Sequence, residues 1–164
     1  MIRNAVAADL PQIMEIVEAA KSDMHSYDNY QWDESYPKEE DFMRDLTEGS
    51  LYVCDMDGSI AGVVCINKDE PEEYKRGNWS MSGEALVIHR LAVDTKFLGK
   101  GIAYQLMNHA DVIGRQNHIA YIRTDTNSLN IKAQSLLKKC GYVFAGEITL
   151  SGHEGTFYCY DKVL

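Results

Sequence analysis

The segment richest in chemistry is Val93-Asp94-Thr95-Lys96-Phe97-Leu98-Gly99-Lys100-Gly101-Ile102-Ala103. It leaves an apolar, β-rich run, crosses two glycines and enters a stretch of helical periodicity, so the first N–H groups of that helix are unpaired and point outward. The helix dipole adds partial positive charge there, which suits an anion. A pyrophosphate must approach the main chain closely, and a Cβ at Gly99 or Gly101 would obstruct it. Two common phosphate-binding patterns do not fit. The fingerprint G-x-G-x-x-G fails at its third glycine, where Tyr104 stands, although Asp125 could pass for that fold's acidic position, and G-x-x-x-x-G-K-[ST] is absent.

These residues need a scaffold, and the hydrophobic periods predict one. Residues 85–93 are apolar on both alternating faces apart from His89 and Arg90, the pattern of a central strand covered on two sides. Ile102, Ala103, Leu106, Met107, Ala110 and Ile113 form one apolar helix face. Residues 119–124 predict a further strand, and 130–140 a helix with Ala133, Leu136, Leu137 and Cys140 at helical spacing, stopped by Gly141. Upstream, residues 2–6 read as a short strand and Asp9 as the N-cap of a helix with Pro11 in its first turn. Residues 22–37 read as an aromatic loop, and residues 37–48 as a second helix ended by Gly49.

Residues 50–55 and 60–67 flank Asp57-Gly58, a hairpin signal whose simplest register sets Cys54 opposite Ala61 and Cys65 opposite Ser50. The two sulfurs then do not meet. Residues 68–83 read as a long loop, and 142–150 and 156–163 as closing strands. The expected architecture is one domain over residues 1–164, of the α/β (α+β) class, with a mixed sheet and helices on both faces.

With these elements in order, the chain resembles the GNAT acetyltransferase superfamily. The main motif of that family, a central strand followed by [Q/R]-x-x-G-x-[G/A] and a helix, is matched by Lys96-Phe97-Leu98-Gly99-Lys100-Gly101. Lys96 replaces the usual Gln or Arg, which keeps a cation but loses a bidentate donor. The second motif, an Asn followed by a helix ending in a Gly-aromatic pair, is matched by Asn130-Ile131-Lys132-Ala133 and Gly141-Tyr142. The resemblance implies the GNAT acyl-CoA N-acyltransferase fold, a mostly antiparallel sheet splayed between its fourth and fifth strands. It implies acetyl-CoA as cosubstrate, with pantetheine along the main chain of Leu91, Ala92 and Val93. The pyrophosphate would sit near Lys96, on the N–H groups of Leu98, Gly99, Lys100, Gly101, Ile102 and Ala103. Asn130, and Asn127 just before it, would hydrogen-bond the pantetheine arm, with Ala133 beside it, although Asn127 ahead of a helix also reads as an ordinary cap.

Acetyl transfer to an amine needs a neutral nucleophile, since an ammonium with a pKa of ~10 has no lone pair at pH 7. Glu84 matches the region from which relatives draw a carboxylate base, and His89 has a suitable intrinsic pKa. A backbone N–H between Leu91 and Val93 could hold the oxyanion. Where many relatives place a Tyr acid, this chain has Leu137; Tyr142, Tyr104 and Cys140 are the substitutes, and water could protonate a thiolate whose acid has a pKa of ~8.5. On the acceptor side, Trp32 and Arg90 are the expected binding residues, with Tyr27, Tyr30 and Tyr36 nearby.

Charge points the same way. The chain carries 16 basic and 25 acidic residues, net −9, which disfavours nucleic acid and anionic membranes as partners. Residues 21–57 hold eleven acidic and three basic side chains, so an aromatic, acidic lip suits a cationic amine. No apolar run approaches the ~20 residues of a membrane helix, and the N-terminus does not read as a signal peptide, so a cytoplasmic protein is expected. Cys54, Cys65, Cys140 and Cys159 lack metal-ligand spacing and are expected to be free thiols. The leading expectation is an N-acetyltransferase acting on a small cationic amine, with a homodimer left open. The alternatives are a protein N-terminal or Lys acetyltransferase and a CoA-binding module without catalysis.

Overall fold

The computed structural model describes residues 1–164. Seven strands form one sheet: β1 (Ile2–Asn4), β2 (Leu51–Met56), β3 (Ser59–Asn67), β4 (Leu86–Val93), β5 (Tyr121–Asn127), β6 (Val143–Ile148) and β7 (Phe157–Val163). Their order is β1-β2-β3-β4-β5-β7-β6, and every neighbouring pair is antiparallel except β4 and β5. Four helices cover it: α1 (Leu10–His25), α2 (Glu39–Thr47), α3 (Ile102–Gln116) and α4 (Ile131–Lys139).

Strand alternation divides the core. Val63 points to α1 and α2, where it meets Ile13, Val17 and Phe42; Val64 points the other way, to Leu106 of α3 and Leu137 of α4. A third cluster forms around Tyr74, on a 3-10 turn at Glu72–Arg76 that interrupts the expected long loop, and packs on Val87, Phe157 and Cys159. Trp79 closes that turn by donating from Nε1 to the Tyr74 carbonyl at 2.6 Å.

Several local expectations are corrected. Asp9 stands at the N-cap of α1, but its carboxylate turns back to accept from Arg3 and the Val6 N–H. α1 extends to His25, because Met24 still packs on the α1–α2 core and the His25 ring pairs with the Trp32 carbonyl at 2.8 Å. In the hairpin, Cys54 lies opposite Gly62 and Cys65 opposite Leu51, one residue from the simplest register, because the pairing slips between Cys54 and Asp55. The cysteines are free and buried. β5 runs on to Asn127, three residues past its expected end, since Thr124 to Asn127 pair with β7 along their whole length. No helix is long and apolar enough to cross a membrane.

Candidate active site

β4 and β5 pair at Leu86 opposite Ile122 and Val87 opposite Arg123, and then part. β4 remains bonded to β3 on its other side, with a bulge: His89 pairs with Cys65 and Ala92 with Val63, so Arg90 and Leu91 together oppose Val64. Arg90 takes up the extra residue at a φ of 49°, in the left-handed region. Past the bulge, the Asp94 N–H donates to the Ala61 carbonyl at 2.9 Å. Alternation then turns the main-chain groups of Leu91 and Val93 away from β3, to the open edge. A cavity of about 300 Å³ fills the gap, bordered on one side by Met107, Ala133 and Leu137 and on the other by Trp32, Tyr36, His153 and Phe157.

The turn into α3 fits a diphosphate. Gly99 and Gly101 have φ of 78° and 76°, and a Cβ on either would enter space with no atom within 4 Å. The N–H groups of Gly99, Gly101, Ile102 and Ala103 have no acceptor in the protein. Two expected donors are corrected: the Leu98 N–H is engaged by the Thr95 carbonyl at 3.4 Å and that of Lys100 by Phe97 at 3.3 Å, because the tight turn closes on itself there. The Lys96 N–H is held by the Asp94 carboxylate at 2.9 Å. Asn130 borders the cavity while its Oδ1 accepts from the Ala133 N–H at 3.0 Å, capping α4 and leaving its amide NH2 free. Asn127 does not border it and does not cap α4 either; its Oδ1 accepts from the Leu129 N–H at 2.9 Å in an Asx turn ahead of the helix.

Glu84 is corrected as a base. It precedes the bonded end of β4, whereas the cavity opens only beyond Val87, and it forms an exposed ion pair with Lys68 at 2.6 Å. His89 does border the cavity, with Nε2 2.9 Å from the Asn67 Oδ1. Burial and the neighbouring Arg90 cation hold its pKa down to about 4, so the ring is neutral at pH 7.

Arg90 edges the cavity, but its guanidinium is bidentate to Asp45 at 2.6 and 2.6 Å and donates to the Tyr36 hydroxyl at 2.9 Å. The two ionic side chains are only 8% and 1% exposed. This corrects Arg90 as an acceptor ligand, since its donors tie α2 to the β4 bulge. Asp45, one of the eleven acidic residues of the stretch 21–57, is thereby withdrawn from the lip and spent on a buried ion pair. Trp32 is buried in the α1–α2 core and still borders the cavity, so packing and lining coincide.

None of the three substitute acids reaches the gap. The Tyr142 hydroxyl is buried without a partner, and burial pushes its pKa far up. Cys140 is a buried thiol raised by burial, and Tyr104 lies under Lys139 on the outside. No three His, Cys, Asp or Glu side chains gather as a metal site.

Two cavity residues were given no part in this site by the sequence reading, His153 being unremarked and Asp125 weighed only for a dinucleotide-binding fold. His153, in the loop between β6 and β7, packs edge-on to Tyr36 and Phe157 at 5.3 and 5.9 Å. Asp125 on β5 accepts from the Tyr74 hydroxyl at 2.6 Å, and burial raises its pKa. A charge between two threonines in an inner strand was the available signal.

Residues 11–142 match the model of the acetyltransferase (GNAT) family. Over 108 residues, 65% of this chain, the sequence is 28% identical to the uncharacterized N-acetyltransferase YesJ of Bacillus subtilis (strain 168), and the match spans 59% of that relative's length. A GNAT-family acetyltransferase from Streptococcus agalactiae 2603, 26% identical, superposes with a TM-score of 0.87 over 100% of this chain and 95% of its own. The fold is shared, at 15% identity and a TM-score of 0.74 over 100% and 98% of the two chains, by PaiA N-acetyltransferase of Thermoplasma acidophilum solved in complex with coenzyme A. With most of its length matched by the family model, the chain belongs to the GNAT acetyltransferase family.

Proposed function

We propose that the protein transfers the acetyl group of acetyl-CoA directly to a small, cationic primary amine held in the same cleft. The carrying observation is the continuity of the open β4 edge with two ends of opposite character. One end is a cradle of free N–H groups at Gly99, Gly101, Ile102 and Ala103, and the other is a cavity walled by aromatic rings and a carboxylate.

When bound, acetyl-CoA supplies an activated acetyl thioester. The N–H groups of the cradle, reinforced by the α3 dipole, hold its diphosphate. The outward main-chain groups of Leu91 and Val93 and the free amide of Asn130 orient the pantetheine, and Ala133 and Leu137 pack against it. A Leu91 N–H freed by the bulge is the donor at hand for charge developing on the carbonyl oxygen. Trp32, Tyr36 and His153 receive the amine, whose positive charge suits their faces. Protonation of the departing thiolate needs no side-chain acid, since a thiol pKa of ~8.5 makes it a fair leaving group.

The test is release of free CoA from acetyl-CoA with a panel of polyamines, amino acids, aminoglycosides and peptides with free N-termini. Turnover with small amines is expected. Turnover with peptides alone would make the protein a peptide acetyltransferase. The absence of Tyr at position 137 favours a second reading, a binding module, which predicts tight CoA binding with no turnover for any acceptor.

A further inference from the structure

Beyond the last rung, Val87 opposite Arg123, the next residues on the same faces of the two strands are His89 on β4 and Asp125 on β5. That face is the one covered by the Tyr74 turn, since Tyr74 packs on Val87 and donates to Asp125. It lies away from α3 and α4, on the side from which an acceptor must meet the donor. The strands therefore offer two titratable groups level with each other across the mouth of the gap.

Their surroundings separate them. His89 presents its Nε2 to Asn67 and sits beside the Arg90 cation, which opposes a second positive charge. Asp125 has its Oδ1 fixed by Tyr74, while its Oδ2 receives no hydrogen bond from the protein and the side chain borders the cavity. The aromatic wall of Tyr36, His153 and Phe157 stands beside it.

Resting on the acetyltransferase reading, we propose that Asp125 seats the acceptor's ammonium and removes its proton, with Tyr74 fixing the carboxylate. The proton passes from the ammonium nitrogen to Oδ2. The freed lone pair forms the C–N bond to the acetyl carbon as the C–S bond breaks, the amine's second proton ends on the CoA sulfur, and the proton on Asp125 leaves to solvent. Burial raises the carboxyl's pKa above its ordinary value, which makes the carboxylate the stronger base. The titratable or charged groups around it are Tyr74 and Glu73 on the turn, Arg123 on its own strand and Cys159 opposite on β7. His89 faces it across the gap and His153 from the β6–β7 loop.

The experiment uses the best amine from the acceptor panel. Asp125→Asn is expected to lower kcat/KM at least about 100-fold at pH 7, within the usual span for a general base. The deficit should shrink to about tenfold or less at pH 9.5, where far more of an amine with a pKa of ~10.4 is already neutral. Acetyl-CoA affinity by calorimetry should be unchanged. Unaltered kinetics, or a loss of the same size at both pH values, overturns the proposal.

Should Asp125→Asn not fold, Tyr74→Phe keeps the question open. Removing a donor to the carboxylate must move the rising limb of the kcat/KM profile to higher pH, and an unmoved limb overturns the proposal. A wild-type protein inactive with every amine removes the acetyltransferase reading itself, a different outcome from an active enzyme indifferent to Asp125.

Discussion

The two walls of the cleft are built by different means. The cradle wall is main chain: two glycines at positive φ, the free N–H groups at the start of α3, and a strand edge exposed because β5 has turned away. The acceptor wall is made of side chains held by other side chains: Arg90 by Asp45, His89 by Asn67, Asp125 by Tyr74. A diphosphate and a pantetheine arm are the same in every reaction of such a fold, so backbone geometry suffices for them and side chains such as Lys96 and Leu137 can vary. An acceptor differs from one enzyme to the next, and only side chains can encode the difference.

If the acceptor wall is a set of locked pairs, breaking one costs stability first. Asp45→Ala leaves the Arg90 guanidinium buried without its counterion, a change worth about 3–5 kcal/mol for buried pairs. At about 2–4 °C per kcal/mol for a chain of this size, calorimetry should show Tm falling by roughly 6–20 °C. A fall under ~2 °C, corresponding to less than about 1 kcal/mol on that scale, would mean that the bulge keeps its shape without the clamp.

The cradle wall should respond in affinity instead. Gly101→Glu sets a carboxylate where the proposed function puts the diphosphate, and we expect the Kd for CoA to rise roughly 100-fold, or about 2.7 kcal/mol. The left-handed conformation adds about 1–2 kcal/mol of strain for any L side chain, so Gly101→Ala is the control that separates strain from charge. CoA affinity unchanged by the glutamate would put the diphosphate elsewhere.

This division also explains what could be read from the amino-acid order. The left-handed turn at Gly99 and Gly101 was legible because a feature made of main chain leaves its mark locally, as glycines between a strand and a helix. Asn130 stood out through the family's second motif, an Asn ahead of a helix, and the structure adds that it caps that helix. The pairs of the other wall join residues far apart in the chain, 45 positions for Asp45 and Arg90 and 51 for Tyr74 and Asp125, and no local period relates them. Glu84 was misjudged because the spacing does not tell at which residue two strands part. Arg90 looked available until the fold brought α2 against the bulge.

His89 gives the comparison a pH dependence. Its folded pKa of about 4 lies below the unfolded 6.5, so below pH 6.5 the unfolded chain binds a proton that the native ring refuses. Its contribution to stability is therefore fully present above pH 6.5 and lost as pH falls towards 4. Between pH 6.5 and 5 the loss is about 2 kcal/mol, at about 1.36 kcal/mol per pH unit. Urea melts at pH 7 and pH 5 should show a difference smaller by about that amount in His89→Gln. Identical differences in the two proteins would mean that the ring stays open to solvent protons, and the wall at that point is not locked.

The smallest expected effect concerns the acidic lip, where long-range charge rather than contact is at issue. Asp33 is the wrong residue to neutralise, since its carboxylate accepts from the N–H groups of Ser35 and Tyr36 and shapes the loop. Asp28 and Glu34 are exempt from that role. Asp28 sits at a φ of 59°, a conformation that Asn also tolerates, so Asp28→Asn with Glu34→Gln should leave the loop in place. If the lip gathers cationic amines, the double variant raises KM roughly threefold at low salt, and the difference fades as the Debye length falls from ~10 Å at 0.1 M to ~3 Å at 1 M. Its kcat and its Kd for acetyl-CoA should not move, because neither charge touches the cavity. An amine bound by Asp125 alone behaves otherwise, since a contact inside the cavity is little screened by salt. KM equal to wild type at every ionic strength would then confine recognition of the cation to the cavity wall and leave the lip with no part in it.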